Sequence, residues 1–253
     1  MLKSKIEELK KEFHIVAAVV TGSHLFKLDT PKSDVDLLIV YKPPLYDVLM
    51  GSTFKKGKLD GKFMKAPGAI EVNLVSLPDF LHRLVNGDIA SVEALFGDNL
   101  HATNCWDEIV KLRSRAITKN LIQKCFGYAR NCIHSFTNAD GFVRPDLEAY
   151  LSVCKEGDSD SHISLAHNHR VLFELYRYMS LGEIAFGSSF YNADKYHRVK
   201  ANAFTSDDII EMIQEMVDMM NLIRSQIIPT TFDNKVSFNS FQPIFYATYG
   251  VTF

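Results

Sequence analysis

Residues 22–40 read GSHLFKLDTPKSDVDLLIV, and the fold follows from how the two ends of this stretch are used. Ile15 to Val20, just before it, is an apolar and mostly β-branched run without alternation, the pattern of a central strand covered on both faces. That strand delivers Gly22-Ser23 at a turn, where the missing glycine side chain lets backbone N–H groups approach a phosphate and the Ser23 hydroxyl adds a donor. Asp34 and Asp36 then open a second strand, Val35 to Tyr41, which stops at Pro43-Pro44. Residues two apart on a strand share a face, with Cα atoms about 7 Å apart, so both carboxylates can converge on one or two hard cations. A metal pair about 3.5 to 4 Å apart activates an attacking hydroxyl while stabilising a leaving pyrophosphate.

Two carboxylates leave such a site short of charge, so a third acid is expected on a neighbouring strand. Glu71 is the best placed candidate, opening EVNLVSL in a third strand, Ala69 to Val75, whose alternation puts Glu71 and Asn73 on one face and Val72 and Leu74 on the other. Upstream, Lys3 to Phe13 has the periodicity of an amphipathic helix, with Ile6, Leu9 and Phe13 on one stripe. Downstream, PDFLHRLVNG reads as a helix with Pro78 at its start and Gly87 as its stop, followed by a helix from Ile89 to Phe96. These elements predict an α/β (α+β) domain with a small mixed sheet over residues 1–105.

From Asp107 the pattern is helical throughout, with segments expected at 107–115, 117–136, 146–155, 163–181 and 206–228. A polar linker spans Gly157 to His162, and Ser206-Asp207-Asp208 has the form of an N-cap with an acidic first turn. The expected all-α domain covers residues 106–228, and an uncharged, aromatic tail, packed or facing a partner, covers 229–253.

The order of these features resembles the nucleotidyltransferase superfamily of DNA polymerase β, whose motif is a GS turn and a DxD pair. More narrowly, Glu71, the stretch PDFLHRLVNGDIASVEALF, and His167 and Arg170 in a helix leading to Gly182-Glu183 are similar to predicted nucleotidyltransferases associated with bacterial and phage RNA repair. The resemblance implies that Asp34, Asp36 and Glu71 are the catalytic and metal-holding residues, with Mg2+ or Mn2+ as cofactor. It also implies that an NTP is bound by Gly22, Ser23, Lys27, Ser33, His167 and Arg170, and that the acceptor is an RNA end, such as a damaged tRNA. Acceptors that keep the chemistry are a protein hydroxyl or a small molecule, and a degenerate member would bind nucleotides or partners without turnover. The family commonly has Arg at the position of His24, Gly at that of Lys27 and Asp at that of Glu71. Lys27 therefore either obstructs an approaching nucleotide or contributes a phosphate contact.

Composition neither favours nor opposes this. The 253 residues are 47% hydrophobic and 23% charged, which suits globular cores and excludes disorder, collagen-like repeats and coiled-coil rods. A net charge of -2 creates no global field for nucleic acid, but local basic runs exist. One is the lysine-rich loop at 55–65. The other, Lys111, Arg113, Arg115, Lys119, Lys124 and Arg130, has no intervening acid and is a candidate RNA-facing stripe. Four cysteines without a CxxC pair fit free thiols in the cytoplasm, and the N-terminal LKSKIEELKKEF has no leader character. The longest apolar run is too short to cross a bilayer.

Overall fold

In the computed structural model, four strands form one mixed sheet in the order β3-β2-β1-β4. The structure describes residues 2–29, 33–50, 70–157, 159–181, 193–226 and 234–250. In chain order the first elements are α1 (Leu2–Leu9), β1 (Ile15–Thr21), α2 (Gly22–Leu25), β2 (Val35–Tyr41), α3 (Leu45–Leu49) and β3 (Ile70–Ser76). They are followed by α4 (Leu77–Val85), α5 (Ile89–Ala94), β4 (Asn99–Ala102), α6 (Asn104–Lys111) and a 3-10 turn at Arg113–Ala116. The helices α7 (Lys119–Phe136), α8 (Leu147–Glu156), α9 (Ser161–Leu181), α10 (Ala193–Lys200), α11 (Ser206–Gln226) and α12 (Asn234–Tyr249) complete the chain.

The apolar β1 lies inside the sheet, antiparallel to β2 on one side and to β4 on the other, while β3 joins β2 in parallel. Alternation assigns the faces. Leu37 and Ile39 of β2 join Ile15 and Ala18 in a cluster with Ile6 and Leu9, so α1 covers that face. The alternating Leu38 and Val40 are also buried, on the side where α4 crosses β2 and β3. The four-residue β4 escapes sequence reading because NLHA is too short to show a period.

The join between α4 and α5 fixes the second layer. Ser76 accepts a hydrogen bond from the Asp79 N–H as N-cap of α4. Gly87 N–H to Leu84 O (3.1 Å) and Asp88 N–H to Arg83 O (2.9 Å) make a Schellman stop with Gly87 at φ 69°. A Cβ on Gly87 would sit 2.3 Å from the backbone N of Leu121, so glycine is required by space as well as by conformation. Asp88 then caps α5 through Ser91 N–H at 3.0 Å.

Two compact units result: Met1–Leu121 with Phe232–Phe253, and Ile122–Thr231. The first runs past the expected boundary at 105 and takes in much of the expected tail. Residues 234–249 are helical in spite of Pro243, and their buried Phe241 and Tyr249 belong to an element packed on α4 and α6. Burial of these aromatic faces outweighs the hydrogen bond lost at the proline. Within the second unit the long helices α9 and α11 pack together, α8 touches both, and α10 rests on α9. The short α10 was not expected from the sequence. The lysine-rich loop at 55–65, the Gly182-Glu183 turn and Phe253 lie outside the described residues. Among the described residues no helix is long and apolar enough to cross a membrane.

Candidate functional site

The register of the sheet brings the predicted acids together. Thr21, the last residue of β1, pairs with Asp36, and Asp36 in turn pairs with Glu71 across the parallel β2–β3 ladder. Asp34 stands just ahead of β2. One carboxylate oxygen from each of Asp34, Asp36 and Glu71 lies within 4.8 Å of the other two. Asp34 and Glu71 are exposed and Asp36 is half-buried, so the cluster sits at an open mouth of the sheet. β3 explains why. Its Ile70, Val72 and Leu74 pack toward the α1 cluster, leaving Glu71 and Asn73 exposed on the opposite face.

Gly22 has a role the sequence did not reveal. Its φ is 65°, and a Cβ there would fall 1.8 Å from Asp36 Oδ2. The glycine is thus required by the carboxylate beside it, apart from any phosphate it admits. Thr21 Oγ1 donates to Asp36 O at 3.4 Å, which further ties the end of β1 to the start of β2. Thr21, at the N-cap position of α2, accepts no side-chain cap bond from the helix, so the first amides of α2, at Gly22 and Ser23, carry no such partner. Ser23 and Ser33 are half-buried at the same mouth, and Lys27 is exposed.

Three carboxylates this close repel one another unless a proton or a cation intervenes. Among the described residues no Lys, Arg or His lies within ion-pair distance of Asp34 or Glu71. An all-oxygen set of two or three carboxylates with room for further ligands suits Mg2+ or Mn2+. The donor set therefore fits the cofactor expected from the sequence.

The other candidates are placed differently. His167 and Arg170 lie on α9, in the second unit, with Arg170 Nη2 3.4 Å from His167 Nδ1. Arg170 is buried, whereas the His167 ring keeps an exposed face. Desolvation, then the Arg170 charge, lowers the His167 pKa to about 4. Because the ring remains exposed, the Arg170 charge is the firmer of the two causes. Either way the imidazole is neutral at pH 7. Of the six basic residues, Lys111 pairs with Glu108 at 2.5 Å and the Arg113 guanidinium lies 5.0 Å from the centre of the Phe96 ring. Arg115, Lys119, Lys124 and Arg130 are exposed. On α7, Lys124 is about 140° round the helix from Lys119, while Arg130 returns to within about 20° of it. The run therefore does not form one continuous stripe.

The far end of the β1–β2 pair contrasts with the acid mouth. There Lys42 Nζ donates to Thr248 O at 2.6 Å and lies 5.0 Å from the centre of the Tyr249 ring, while Cys105 Sγ is 3.1 Å from Thr248 Oγ1. Burial, with smaller contributions from Cys105 and Tyr41, raises the Tyr249 hydroxyl to about 12. A cavity of about 820 Å³ opens here beside His14, Lys42, Cys105 and Thr248, and one of about 580 Å³ beside Phe13, Tyr41 and Tyr249. Neither is lined by the three acids.

Comparison with known proteins bears on the acid end. Residues 2–94 match the family model of the nucleotidyltransferase domain. No curated protein matches the chain. Among solved structures, the chain is similar to spectinomycin adenyltransferase AAD(9) from Enterococcus faecialis, crystallised with ATP and spectinomycin. The identity is 14%, covering 96% of this chain and 98% of that one, with a TM-score of 0.37. It is also similar to a nucleotidyltransferase-like protein from Exiguobacterium sibiricum 255-15, at 10% identity over 95% of this chain and 76% of that one, with a TM-score of 0.30. The domain match, rather than these distant superpositions, identifies the region.

Proposed function

We propose that this chain, whose residues 2–94 match the nucleotidyltransferase domain, is an enzyme of the DNA polymerase β-like kind that transfers a nucleoside monophosphate from an NTP to an acceptor hydroxyl with release of pyrophosphate. The observation that carries this is the convergence of Asp34, Asp36 and Glu71 within 4.8 Å, beside a Gly22-Ser23 turn fitted against Asp36. Asp34 and Asp36 hold the divalent cation, Mg2+ or Mn2+, and Glu71 completes the set. Bound there, the ion supplies Lewis-acid charge at the reacting phosphoryl group. The Gly22 and Ser23 amides and the Ser23 hydroxyl bind the triphosphate. Glu71 also helps remove the acceptor's proton as the new P–O bond forms and the bond between the α-phosphorus and the bridging oxygen breaks.

For the acceptor we propose an RNA end. The exposed Lys119 and Arg130, which fall on the same side of α7, and the exposed Arg115 support it, because cations left open to solvent can meet a phosphate backbone. Four free cysteines support a cytoplasmic setting.

The test is incubation with α-³²P-labelled NTPs and Mg2+ in the presence of tRNA, a protein extract or small hydroxyl compounds. Label is expected on tRNA and absent with an Asp34→Ala/Asp36→Ala double variant. Label confined to protein or to small molecules would overturn the RNA acceptor alone, and full transfer by the double variant would overturn the active site.

A further inference from the structure

Lys27 is one of two non-glycine residues with positive φ among those described, at 54°, the other being Asn202 at 56°. Asparagine tolerates the left-handed region because its short side chain bonds locally; lysine has no such relief. The backbone is held there by Lys27 N–H to His24 O at 3.3 Å and Leu28 N–H to Ser23 O at 2.9 Å. These bonds close α2 in the manner of a helix end whose left-handed residue is usually glycine. Lysine thus stands where glycine would be the more stable choice, a few residues from the acid cluster. Strain kept beside a reactive site directs attention to the side chain that causes it.

That side chain is exposed and forms no ion pair with any described residue. The other cation-capable group of the turn, His24, is used internally, with Nδ1 3.5 Å from Asp29 Oδ2 and Nε2 enclosed by protein. In the described part of the β1–β2 connection, Lys27 is the only Lys or Arg.

We infer that Lys27 binds the β- and γ-phosphates of the incoming nucleoside triphosphate, the part that leaves as pyrophosphate. This rests on the nucleotidyl-transfer reading and adds to it the residue that distinguishes a triphosphate from a monophosphate. The α-phosphorus has to meet the carboxylates, and Gly22 lies against Asp36. The Lys27 backbone is one short helix further along, about 6 Å of rise. The outer phosphates are the part of the ligand that extends that far, and an ammonium on a flexible stem is a good point-charge partner for them.

The test uses the full chain with Mn2+ and α,β-methylene-ATP, compared with AMP. Lys27→Gly is expected to raise the unfolding midpoint by about 2 °C, because it relieves the backbone. The same variant is expected to weaken the triphosphate analogue about tenfold, the scale of one charged hydrogen bond, and to leave AMP binding within about twofold. In turnover, the KM for ATP rises by a similar factor while kcat holds, and Lys27→Arg restores the affinity. Unchanged triphosphate binding in Lys27→Gly overturns the inference, as does an equal loss for AMP. If the wild type binds the triphosphate no better than Asp34→Ala/Asp36→Ala, the nucleotidyl-transfer reading falls, and the Lys27 role with it.

Discussion

Two charge clusters, one in each compact unit, are built on opposite terms. In the second unit, His169 Nε2 lies 2.5 Å from Glu215 Oε2, and Lys195 Nζ lies 2.8 Å from Glu211 Oε2 and 3.5 Å from Glu215 Oε1. His169 and Lys195 are buried, and each meets an acid. Burial alone would raise the Glu215 pKa, but the hydrogen bonds and charges of His169 and Lys195 outweigh it and leave the carboxyl below its ordinary value. Close by, Arg198 meets Asp208 at 2.5 Å, and Asp208 also accepts from Thr205 N–H and Oγ1. Opposite charges are matched there, and the result is architecture. In the first unit, three carboxylates of one sign gather at an open mouth. Such a group repels itself until a proton or a cation intervenes, so the proposed divalent cation would relieve it.

One chemical change applied to both clusters should therefore have opposite consequences. Glu71→Gln is expected to reduce nucleotidyl transfer by about 10²–10³-fold, the scale of losing one group that stabilises developing charge. Its unfolding midpoint in EDTA should be no lower than that of the wild type, because a like charge has been removed. Added Mn2+ should raise the wild-type midpoint more than the variant's. A midpoint several degrees lower in EDTA would mean that Glu71 is structural and would erase the contrast.

Gly22→Ala attacks the same site sterically. A Cβ 1.8 Å from Asp36 Oδ2 must displace the carboxylate, and a shift of about 1 Å in such a site costs about 10²-fold in rate. Wild-type kinetics in this variant would show that Asp36 is not held where the chemistry needs it.

In the balanced cluster, Glu215→Gln should lower stability by about 2 kcal/mol in urea unfolding, since a buried cation loses a partner. Transfer per folded molecule should stay within about twofold. A gain in stability would mean that desolvation dominates, and the cluster would no longer serve as the matched case.

The smallest effect concerns acid. The folded-state pKa of His167 is lowered from 6.5 to about 4, so the unfolded chain takes up a proton that the folded chain refuses. His167 should thus contribute a loss of stability as pH falls from about 6.5 to about 4, and no further loss below that. His167→Gln should flatten this part of the curve of unfolding midpoint against pH, and identical curves would show that the ring is solvated in the folded state.

The acid site was largely legible because its parts obey short-range rules. The period of two along a strand places Asp34 and Asp36 together, and the same period turns Glu71 away from Val72 and Leu74. The stop at Gly87 is also local, since a Schellman turn involves neighbouring residues. By contrast, β4 exists only because β1 offers it an edge, and α12 only because α4 and α6 offer Phe241 and Tyr249 a place to be buried. No window of sequence contains those partners. The expected stripe of six basic residues failed for a related reason. Contiguity in sequence does not give one face on a helix, and Lys111 and Arg113 already have neighbours in Glu108 and Phe96.

Local order alone established a glycine-serine turn, one acid just ahead of a strand and another within it, a third acid on another strand, and helices after them. Tertiary structure decided what those residues face. It set the parallel register that puts Glu71 beside Asp36, made Gly22 the space in which Asp36 fits, and gave Lys27 a glycine's conformation. The reason is physical: side-chain periodicity is fixed by the backbone of a single element, whereas pairing register, close approach and backbone strain exist only between elements brought together by a common core.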